Sequence, residues 1–242
     1  MSFDPFGDFS TAGYLRNSLQ LKDPEKIKRS EHLAFELSLP DALNFLSSQK
    51  VLNYNSILSV HQILFSDFYP WAGKDRNELV PKLAVFKGSS DNPRHTVFEQ
   101  PALIRRACEY ALSLAGNHDS FLQKPGEVMG LLAFAHPFLD GNGRTLLLVF
   151  MELAFRAGFA IHWGQTNKDE YLQALSREIN EPAGRHLDKY LEPYIVPISR
   201  REDWPQTIGE IRGLDGLDKE NVSYGSLNDP EVQIIYQTYR SR

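Results

Sequence analysis

The sequence predicts a mainly α-helical protein that contains one β-hairpin. Apolar residues recur at helical intervals through most of the chain, and proline or glycine stands where several of these segments end. A single stretch, between Trp71 and Pro101, instead holds short runs of β-branched and aromatic residues on either side of a turn. The 242 residues fit one large domain, or one domain with an appendage.

The composition narrows the classes of partner. With 26 basic against 31 acidic side chains, the formal net charge is −5, whereas proteins that bind mainly by neutralising phosphates carry a basic excess. Nucleic acid is therefore not expected as the main partner.

No apolar stretch approaches the ~20 residues of a membrane span, and the N-terminus lacks the pattern of a cleaved signal peptide. We expect no membrane partner and a cytoplasmic location, with leaderless export left open. The single cysteine, Cys108, excludes an intramolecular disulfide and predicts a small buried residue.

The helices are predicted in order along the chain. Residues 1–22 are rich in turn formers and aromatics, which predicts an arm laid over the body. Asp23 as N-cap and Pro24 at the first helical position predict a helix that runs to about Ser38, and Asp41 predicts the start of a short second helix. Further helices are predicted over residues 56–69, 102–115, 125–135, 144–157, 168–178 and 185–194.

The predicted hairpin pairs residues 80–87 with residues 95–98 around a Gly-Ser-Ser-Asp-Asn-Pro turn. It is the only convincing strand signal in the chain. After Pro197, charges and glycines are scattered without periodicity, so we place a boundary there. The chain then divides into the arm, a body over residues 23–196 and an extension of unknown role over residues 197–242.

The residues that carry chemistry are concentrated between two predicted helices, in the run His-Pro-Phe-Leu-Asp-Gly-Asn-Gly-Arg over 136–144. Pro137 disfavours the α conformation at His136, so the first helix is expected to end at or just before the histidine. Gly141 and Gly143 allow positive φ and let another group approach the backbone closely. Successive N–H groups in such a turn, followed by the positive end of a helix, predict a concave anion site.

Each polar side chain in this run has a plausible task. The planar guanidinium of Arg144 suits phosphate oxygens, and Asn142 adds an uncharged donor. Mg²⁺ bridged to phosphates often takes a single carboxylate such as Asp140 from the protein, and His136 titrates near neutral pH and is suited to deprotonating a hydroxyl. Taken alone, a glycine-rich turn is often only a helix cap, and a histidine beside Pro-Phe is often only packed. Their joint presence within nine positions predicts the transfer of a phosphorus group.

The run over 136–144 resembles the signature of the Fic family, which is His-Pro-Phe, two residues of which the second is acidic, then Gly-Asn-Gly-Arg. Residues 61–76 resemble the family's helix that ends in a Tyr-Pro-Trp-Ala-Gly turn, and Tyr-Leu-Arg-Asn over 14–17 is similar to the start of bacterial members. The resemblance covers about residues 14–195. It implies a Fic-type helical bundle with one β-hairpin flap, and residues 23–196 as its catalytic domain.

The resemblance also implies an activity and the residues that perform it. Fic proteins move a nucleotide monophosphate, usually AMP from Mg·ATP, onto a Ser, Thr or Tyr hydroxyl of a target protein. His136 would then be the general base and Asp140 the Mg²⁺ ligand, while Phe138 packs inward. The hairpin over residues 80–98 resembles the flap that docks the target by strand addition. The implied nucleotide-binding residues are Lys87, Gly88, Gly141, Asn142, Gly143 and Arg144; for Lys87, a solvated lysine at a strand end is the alternative.

The chain departs from the family pattern at Leu147, where the signature continues with a second arginine. Leucine supplies no charge-assisted contact, worth about 1.5–3 kcal/mol, to the distal phosphates. Two alternatives therefore stay open: a kinase similar to the Doc branch, which also lacks this arginine, and a Fic-fold binding protein that has lost turnover. The family's inhibitory motif is also missing, since only Thr166 and Glu170 have its spacing and Tyr171 follows. We expect any inhibition to come from a separate antitoxin chain.

Overall fold

The computed structural model describes residues 15–88, 95–198, 200–211, 213–214 and 222–240, and it is mainly helical as predicted. The longer helices are α1 (Pro24–Ser48), α2 (Tyr54–Phe65), α4 (Ile104–Ala115), α6 (Pro125–Ala135), α7 (Asn142–Arg156), α8 (Lys168–Asn180) and α11 (Pro230–Arg240). Shorter helices are α3 (Arg76–Leu79), α5 (His118–Gln123), α9 (His186–Leu191) and α10 (Trp204–Gly209). Single 3-10 turns cover Pro101–Leu103, Trp163–Gln165, Pro182–Gly184, Glu192–Tyr194 and Arg201–Asp203. The strands are β1 (Leu83–Lys87), β2 (Thr96–Val97), β3 (Phe159–Ile161), β4 (Ile195–Pro197) and β5 (Val222–Ser226).

The predicted break in the first helix near Ser38 is wrong, because α1 continues to Ser48 with Pro40 inside it. The proline removes one backbone hydrogen bond. The apolar face is nevertheless continuous, and Leu39 and Ala42 on either side of the proline are both buried. Packing of this face against α2 and α7 holds the two halves in one helix. The predicted start is confirmed, since the Asp23 side chain accepts from the N–H of Lys26 at 3.0 Å.

The centre of the fold is α6, which packs against α4, α8, α9 and α7. Its bounds are those predicted. Close packing requires glycine at Gly126, where a Cβ atom would lie 2.2 Å from the backbone nitrogen of Asp188. The next helix, α7, is buried on all sides from Thr145 to Ala154. The loop that joins α6 to α7 is therefore anchored at both ends in the core. Cys108 on α4 is fully buried as predicted, and burial raises the pKa of its thiol to about 12.

The predicted hairpin is present with shorter strands, because pairing is confined to β1 and β2, in the register Phe86 to Val97 and Lys87 to Thr96. Most of the predicted turn, residues 89–93, lies outside the described residues. A third strand, β5, pairs antiparallel with the other edge of β1, so that the sheet order is β2-β1-β5. We call this three-stranded sheet the flap sheet. The sequence did not predict β5, in which serine and glycine interrupt any apolar alternation, or the three-residue pair β3 and β4.

The extension packs against the body at two places. Trp204 and Ile208 of α10 are buried in the main core. Val232 and Tyr236 of α11 are buried against one face of the flap sheet. The extension therefore contributes β5 to the flap sheet and covers one face of that sheet with α11. Within the described part of the chain, no helix combines the length and apolar character needed to cross a membrane.

Candidate active site

The backbone at His136 has the left-handed conformation, with φ 43° and ψ 59°, directly after α6 ends at Ala135. This confirms the expectation that the helix stops at or before the histidine. The conformation is uncommon for a residue with a side chain, and the buried Arg76 stabilises it. The guanidinium of Arg76 donates from Nε to the carbonyl oxygen of His136 at 2.7 Å, and from Nη2 to those of Glu99 at 2.8 Å and Ala135 at 3.3 Å. Arg76 is the last residue of the 61–76 stretch, and the sequence pattern did not predict this role for it.

The underside of the glycine-rich loop (residues 136–144) rests on His61. The ring of Phe138 is fully buried and stacks on the His61 ring at 3.7 Å between centroids. The N–H of Gly73 donates to His61 Nδ1 at 2.9 Å, so His61 Nε2 carries the proton and donates to the carbonyl oxygen of Asp140 at 3.1 Å. His61 therefore acts as a structural support of the loop.

Asn142 ties the two ends of the loop together. Its Oδ1 accepts from the N–H of Phe138 at 2.9 Å, and its Nδ2 donates to the carbonyl oxygen of the same residue at 2.7 Å. Nδ2 also lies 3.2 Å from His136 Nε2. Because an amide nitrogen only donates, this contact assigns the lone pair of the neutral imidazole to Nε2. The His136 ring is held on its face by Phe98, at 4.0 Å between centroids. The histidine is thus oriented with Nε2 as the basic atom.

The two glycines of the loop meet different structural requirements. Gly141 has φ 75°, and a Cβ atom there would lie 2.5 Å from the Phe65 ring. Gly143 does not use the positive φ that glycine allows, because α7 begins at Asn142, two residues earlier than predicted, and places Gly143 in its first turn. Gly143 is exposed, and a Cβ atom there would meet no atom within 4 Å. The first turn of α7 has no side-chain cap, and its amides are available to an anion.

Substitution of Gly141 by alanine should lower the free energy of unfolding more than substitution of Gly158 by alanine. Both positions have positive φ, which costs about 1–2 kcal/mol for a residue with a Cβ, but only the Cβ at Gly141 meets a ring. We expect a further cost of about 1–3 kcal/mol at Gly141 from overpacking. Urea unfolding of both variants measures the difference. Equal losses would contradict the contact with Phe65.

Arg144 is buried and forms an ion pair with Glu31 of α1 through its Nη2. Its guanidinium also lies 4.8 Å from the centroid of Phe65 and 5.6 Å from that of Phe35. Among the described residues, no acceptor lies within hydrogen-bond distance of Arg144 Nη1, although that atom is buried. The predicted phosphate ligand therefore shares its charge with a carboxylate that sequence analysis missed. A signal existed, since Glu31 occupies a position between Ile27 and Phe35 in the i, i+4 stripe of buried residues.

Leu147 lies one turn beyond Arg144 on α7, is 7% exposed and lines the same cleft as Leu146 and Tyr69. The part of the cleft that these three side chains line is therefore mainly apolar. On the flap side, Lys87 is half-buried, and burial together with the nearby charge of Lys168 lowers its pKa. Lys87 thus adds a second cation to the cleft, on the flap side, where Leu147 supplies none on α7.

One open cleft of about 2470 Å³ brings most of the predicted residues together. Its walls come from the glycine-rich loop, the flap sheet, α8 and the extension. Gly88 is not among the lining residues. Within the described ranges, no three His, Cys, Asp or Glu side chains cluster as a metal site. The predicted site residues that line the cleft are His136, Asp140, Gly141, Asn142, Gly143, Arg144 and Lys87.

The chain is similar to known proteins across this region. Residues 51–154 match the model of the Fic/DOC family. The protein adenylyltransferase VbhT of Bartonella schoenbuchensis is 32% identical over 72% of this chain, which spans 35% of the length of VbhT. The probable protein adenylyltransferase Fic of Escherichia coli is 22% identical over 66% of this chain and 77% of its own length.

Solved structures share the fold. The N-terminal Fic domain of a putative cell filamentation protein from Bartonella quintana, with bound ADP, superposes with a TM-score of 0.65 at 20% identity, covering 80% of this chain and 96% of that one. BepC from Bartonella tribocorum, with bound AMPPNP, gives 0.62 at 20% identity, covering 76% and 93%. The matching family model and the intact signature over 136–144 identify residues 51–154 as a Fic/DOC family domain.

Proposed function

We propose that the chain is a protein adenylyltransferase that moves AMP from Mg·ATP to a Ser, Thr or Tyr hydroxyl of a target protein. The observation that carries this proposal is the open first turn of α7, which faces the same cleft as the basic Nε2 of His136. An anion-binding helix end beside an oriented base suits a reaction in which a hydroxyl attacks a phosphorus atom. VbhT and the Escherichia coli Fic protein are named as adenylyltransferases, which supports AMP as the group transferred.

In the proposed reaction, His136 Nε2 takes the proton of the target hydroxyl as its oxygen bonds to the α-phosphorus of ATP. The bond from that phosphorus to the oxygen bridging to the β-phosphate breaks, and pyrophosphate leaves with the electron pair. The target hydroxyl takes the place of the Asn142 amide at the Nε2 lone pair, while Phe98 holds the ring on its face. General base catalysis of this kind contributes about 10²–10⁴-fold to the rate.

The phosphates are proposed to bind at the first turn of α7. Gly143 lets them approach the backbone without meeting a Cβ atom. Arg144 offers Nη1, and Lys87 offers a cation from the flap side. Because the net charge of the chain is −5, attraction of the nucleotide has to come from this local arrangement.

Asp140 is the proposed protein ligand of Mg²⁺. Its carboxylate lines the cleft and accepts from the N–H of Gly141 at 2.6 Å. Mg²⁺ usually takes one or two carboxylates and completes its shell with water and phosphate oxygens, so this donor set fits the ion. When bound, the ion would neutralise charge on the phosphates.

The target is proposed to dock at the flap over residues 80–98. Within the described residues both edges of β1 are paired, one with β2 and the other with β5. A target strand must therefore pair with the outer edge of β2 or of β5, or replace one of these two strands. A separate antitoxin chain is proposed as inhibitor, because Glu170, the only glutamate with the motif spacing, is exposed at the first turn of α8.

The proposal is tested by incubating the chain with a cell lysate and each of the four nucleoside triphosphates, labelled at the α-phosphate. Label on protein with ATP, and none with the His136→Ala variant, is the expected result. If no nucleotide labels any protein above the level of the variant, the proposed function is wrong.

Leu147 favours a second candidate, a kinase that transfers the terminal phosphate. Label carried from the γ-phosphate and not from the α-phosphate would select it. A binding protein without turnover would bind Mg·ATP in calorimetry and leave every protein unlabelled.

Leu147→Arg should lower the KM for ATP, because it places a cation one turn from Arg144. A charge-assisted contact of about 1.5–3 kcal/mol corresponds to roughly 10–150-fold in affinity. Leu147→Met, which preserves volume without adding charge, is the matched control. If both variants have the same KM, the residue at this position does not reach the phosphates.

A further inference from the structure

Two sets of contacts determine how α1 lies along α7. Near the start of α7, Arg144 pairs with Glu31 in the first half of α1. At the end of α7, Arg156 donates to the carbonyl oxygens of Leu46 at 2.9 Å and Gln49 at 2.7 Å, where α1 ends. The two helices therefore run parallel, and Glu31 lies level with the first turn of α7.

Lys28 lies one turn before Glu31 on α1, and therefore closer to the start of both helices. Three residues of an α-helix rise about 4.5 Å, and α7 begins at Asn142, just before Arg144. Helical side chains also lean toward the N-terminal end of their own helix. Because Lys28 is half-buried and lines the cleft, this register places its ammonium group beside the open first turn of α7.

Lys28 determines the sign of the charge on this side of the cleft. Among the described residues of α1 and α7 that line the cleft, the charged side chains are Lys28, Glu31 and Arg144. Glu31 and Arg144 form an ion pair, so their charges compensate each other. Leu147, one turn farther along α7, adds no charge. The α1 side of the cleft is therefore positive because of Lys28.

Two buried donors on the same side of the cleft need an acceptor. Arg144 Nη1 and Tyr69 Oη are both buried without a hydrogen-bond partner in the described part of the chain. Arg144 and Tyr69 line the cleft and pack beside the Phe65 ring, at 4.8 Å from the guanidinium and 6.2 Å between the two aromatic centroids. Burial, and then the charge of Glu31, raise the pKa of Tyr69, so its hydroxyl stays protonated. Buried donors without an acceptor are costly, and phosphate oxygens would satisfy both.

We propose that Lys28, together with Tyr69 Oη and Arg144 Nη1, binds the terminal phosphate of the nucleoside triphosphate, an inference that rests on the proposed function. Transfer of AMP requires the α-phosphorus at His136, which Phe98 holds on the flap side of the loop. The outer phosphates extend from there toward α1. The ammonium and the two buried donors supply charge and hydrogen bonds to the last of them, so they distinguish a triphosphate from a diphosphate.

The test is calorimetry of the full chain with Mg·AMPPNP and with Mg·ADP, which lacks the terminal phosphate. Lys28→Met removes the charge and keeps the length of the side chain. It should weaken AMPPNP binding about tenfold, the effect of losing one charge-assisted contact, and leave ADP binding nearly unchanged. Lys28→Arg should retain the wild-type preference. Lys26→Met is the matched control, because Lys26 is exposed on the same helix and is not among the residues that line the cleft.

Tyr69→Phe provides a second measurement, because it removes only the hydroxyl. It should weaken AMPPNP binding severalfold and ADP binding much less. Tyr110→Phe is its control, since Tyr110 is exposed on α4. Melting temperatures show that each variant is folded. A hydroxyl that only packs would affect both nucleotides alike, which would remove Tyr69 from the phosphate site.

The outcomes separate this inference from the proposed function when AMP transfer to lysate proteins is measured in parallel. If the wild-type chain transfers AMP but Lys28→Met weakens both nucleotides equally, or neither, the inference is wrong and the proposed function stands. If Lys28→Met loses the preference for AMPPNP while the wild-type chain labels no protein, the phosphate site is supported and the proposed function is wrong. A wild-type chain that binds neither nucleotide would overturn both.

Discussion

Replacement of His136 by alanine should reduce the rate of AMP transfer by at least about 10²-fold, the lower end of what a general base contributes. The side chain has Nε2 as its basic atom, fixed by the amide of Asn142 and by the ring of Phe98. Loss of the imidazole leaves the hydroxyl of the target protein without this proton acceptor. The variant leaves the proposed nucleotide-binding residues Gly143 and Arg144 in place, so binding of Mg·ATP should be nearly unchanged. The expected effect is therefore on kcat, with little effect on KM.

His162→Ala is the matched control, because His162 is exposed and is not among the residues that line the cleft. It should transfer AMP at the wild-type rate. Melting temperatures of both variants show whether each is folded, and calorimetry with Mg·ATP shows whether each binds nucleotide. A folded His136→Ala chain with wild-type kcat would remove the histidine from the mechanism.

Replacement of Glu31 by alanine should lower the free energy of unfolding by about 3–5 kcal/mol, because it leaves a buried guanidinium without its counter-charge. Both side chains of the pair are almost fully inaccessible, at 1% exposure for Glu31 and 4% for Arg144. The aromatic rings of Phe35 and Phe65 flank the guanidinium. The loss of stability should be accompanied by weaker order in the first turn of α7, which Arg144 anchors.

Glu25→Ala is the control on the same helix. Glu25 pairs with Arg29 on the surface, where the side chains are 64% and 70% exposed, and such pairs contribute about 0–1 kcal/mol. A double variant, Glu31→Leu with Arg144→Met, removes both charges and should be more stable than Glu31→Ala. If Glu31→Ala unfolds at the same urea concentration as Glu25→Ala, the ion pair does not stabilise the fold.

The glycine-rich loop was predictable because its chemistry is local. His136, Asp140 and Arg144 lie within nine positions, and Pro137 determines where α6 ends. The hairpin was predictable for the same reason, since both strands and the turn lie in one short stretch. Both features depend on the backbone preferences of residues that are close together in the sequence.

The main departures from the sequence predictions come from contacts between distant segments. Glu31 and Arg144 are 113 positions apart, and β5 joins β1 only when the tail returns to the flap. α1 passes through Pro40 because Leu39 and Ala42 pack against other helices, which outweighs the lost backbone hydrogen bond. In each case tertiary packing determines the structure. It either overrides the local sequence preference or acts where the local sequence has none.

The central claim, that the loop over residues 136–144 transfers AMP to protein hydroxyls, is tested most directly by the mass added to a modified peptide. Proteins from a lysate incubated with Mg·ATP and the wild-type chain should carry peptides heavier by one AMP. The same peptides should be unmodified after incubation with His136→Ala. Peptides heavier by one phosphate, or equal modification with both chains, would contradict the claim.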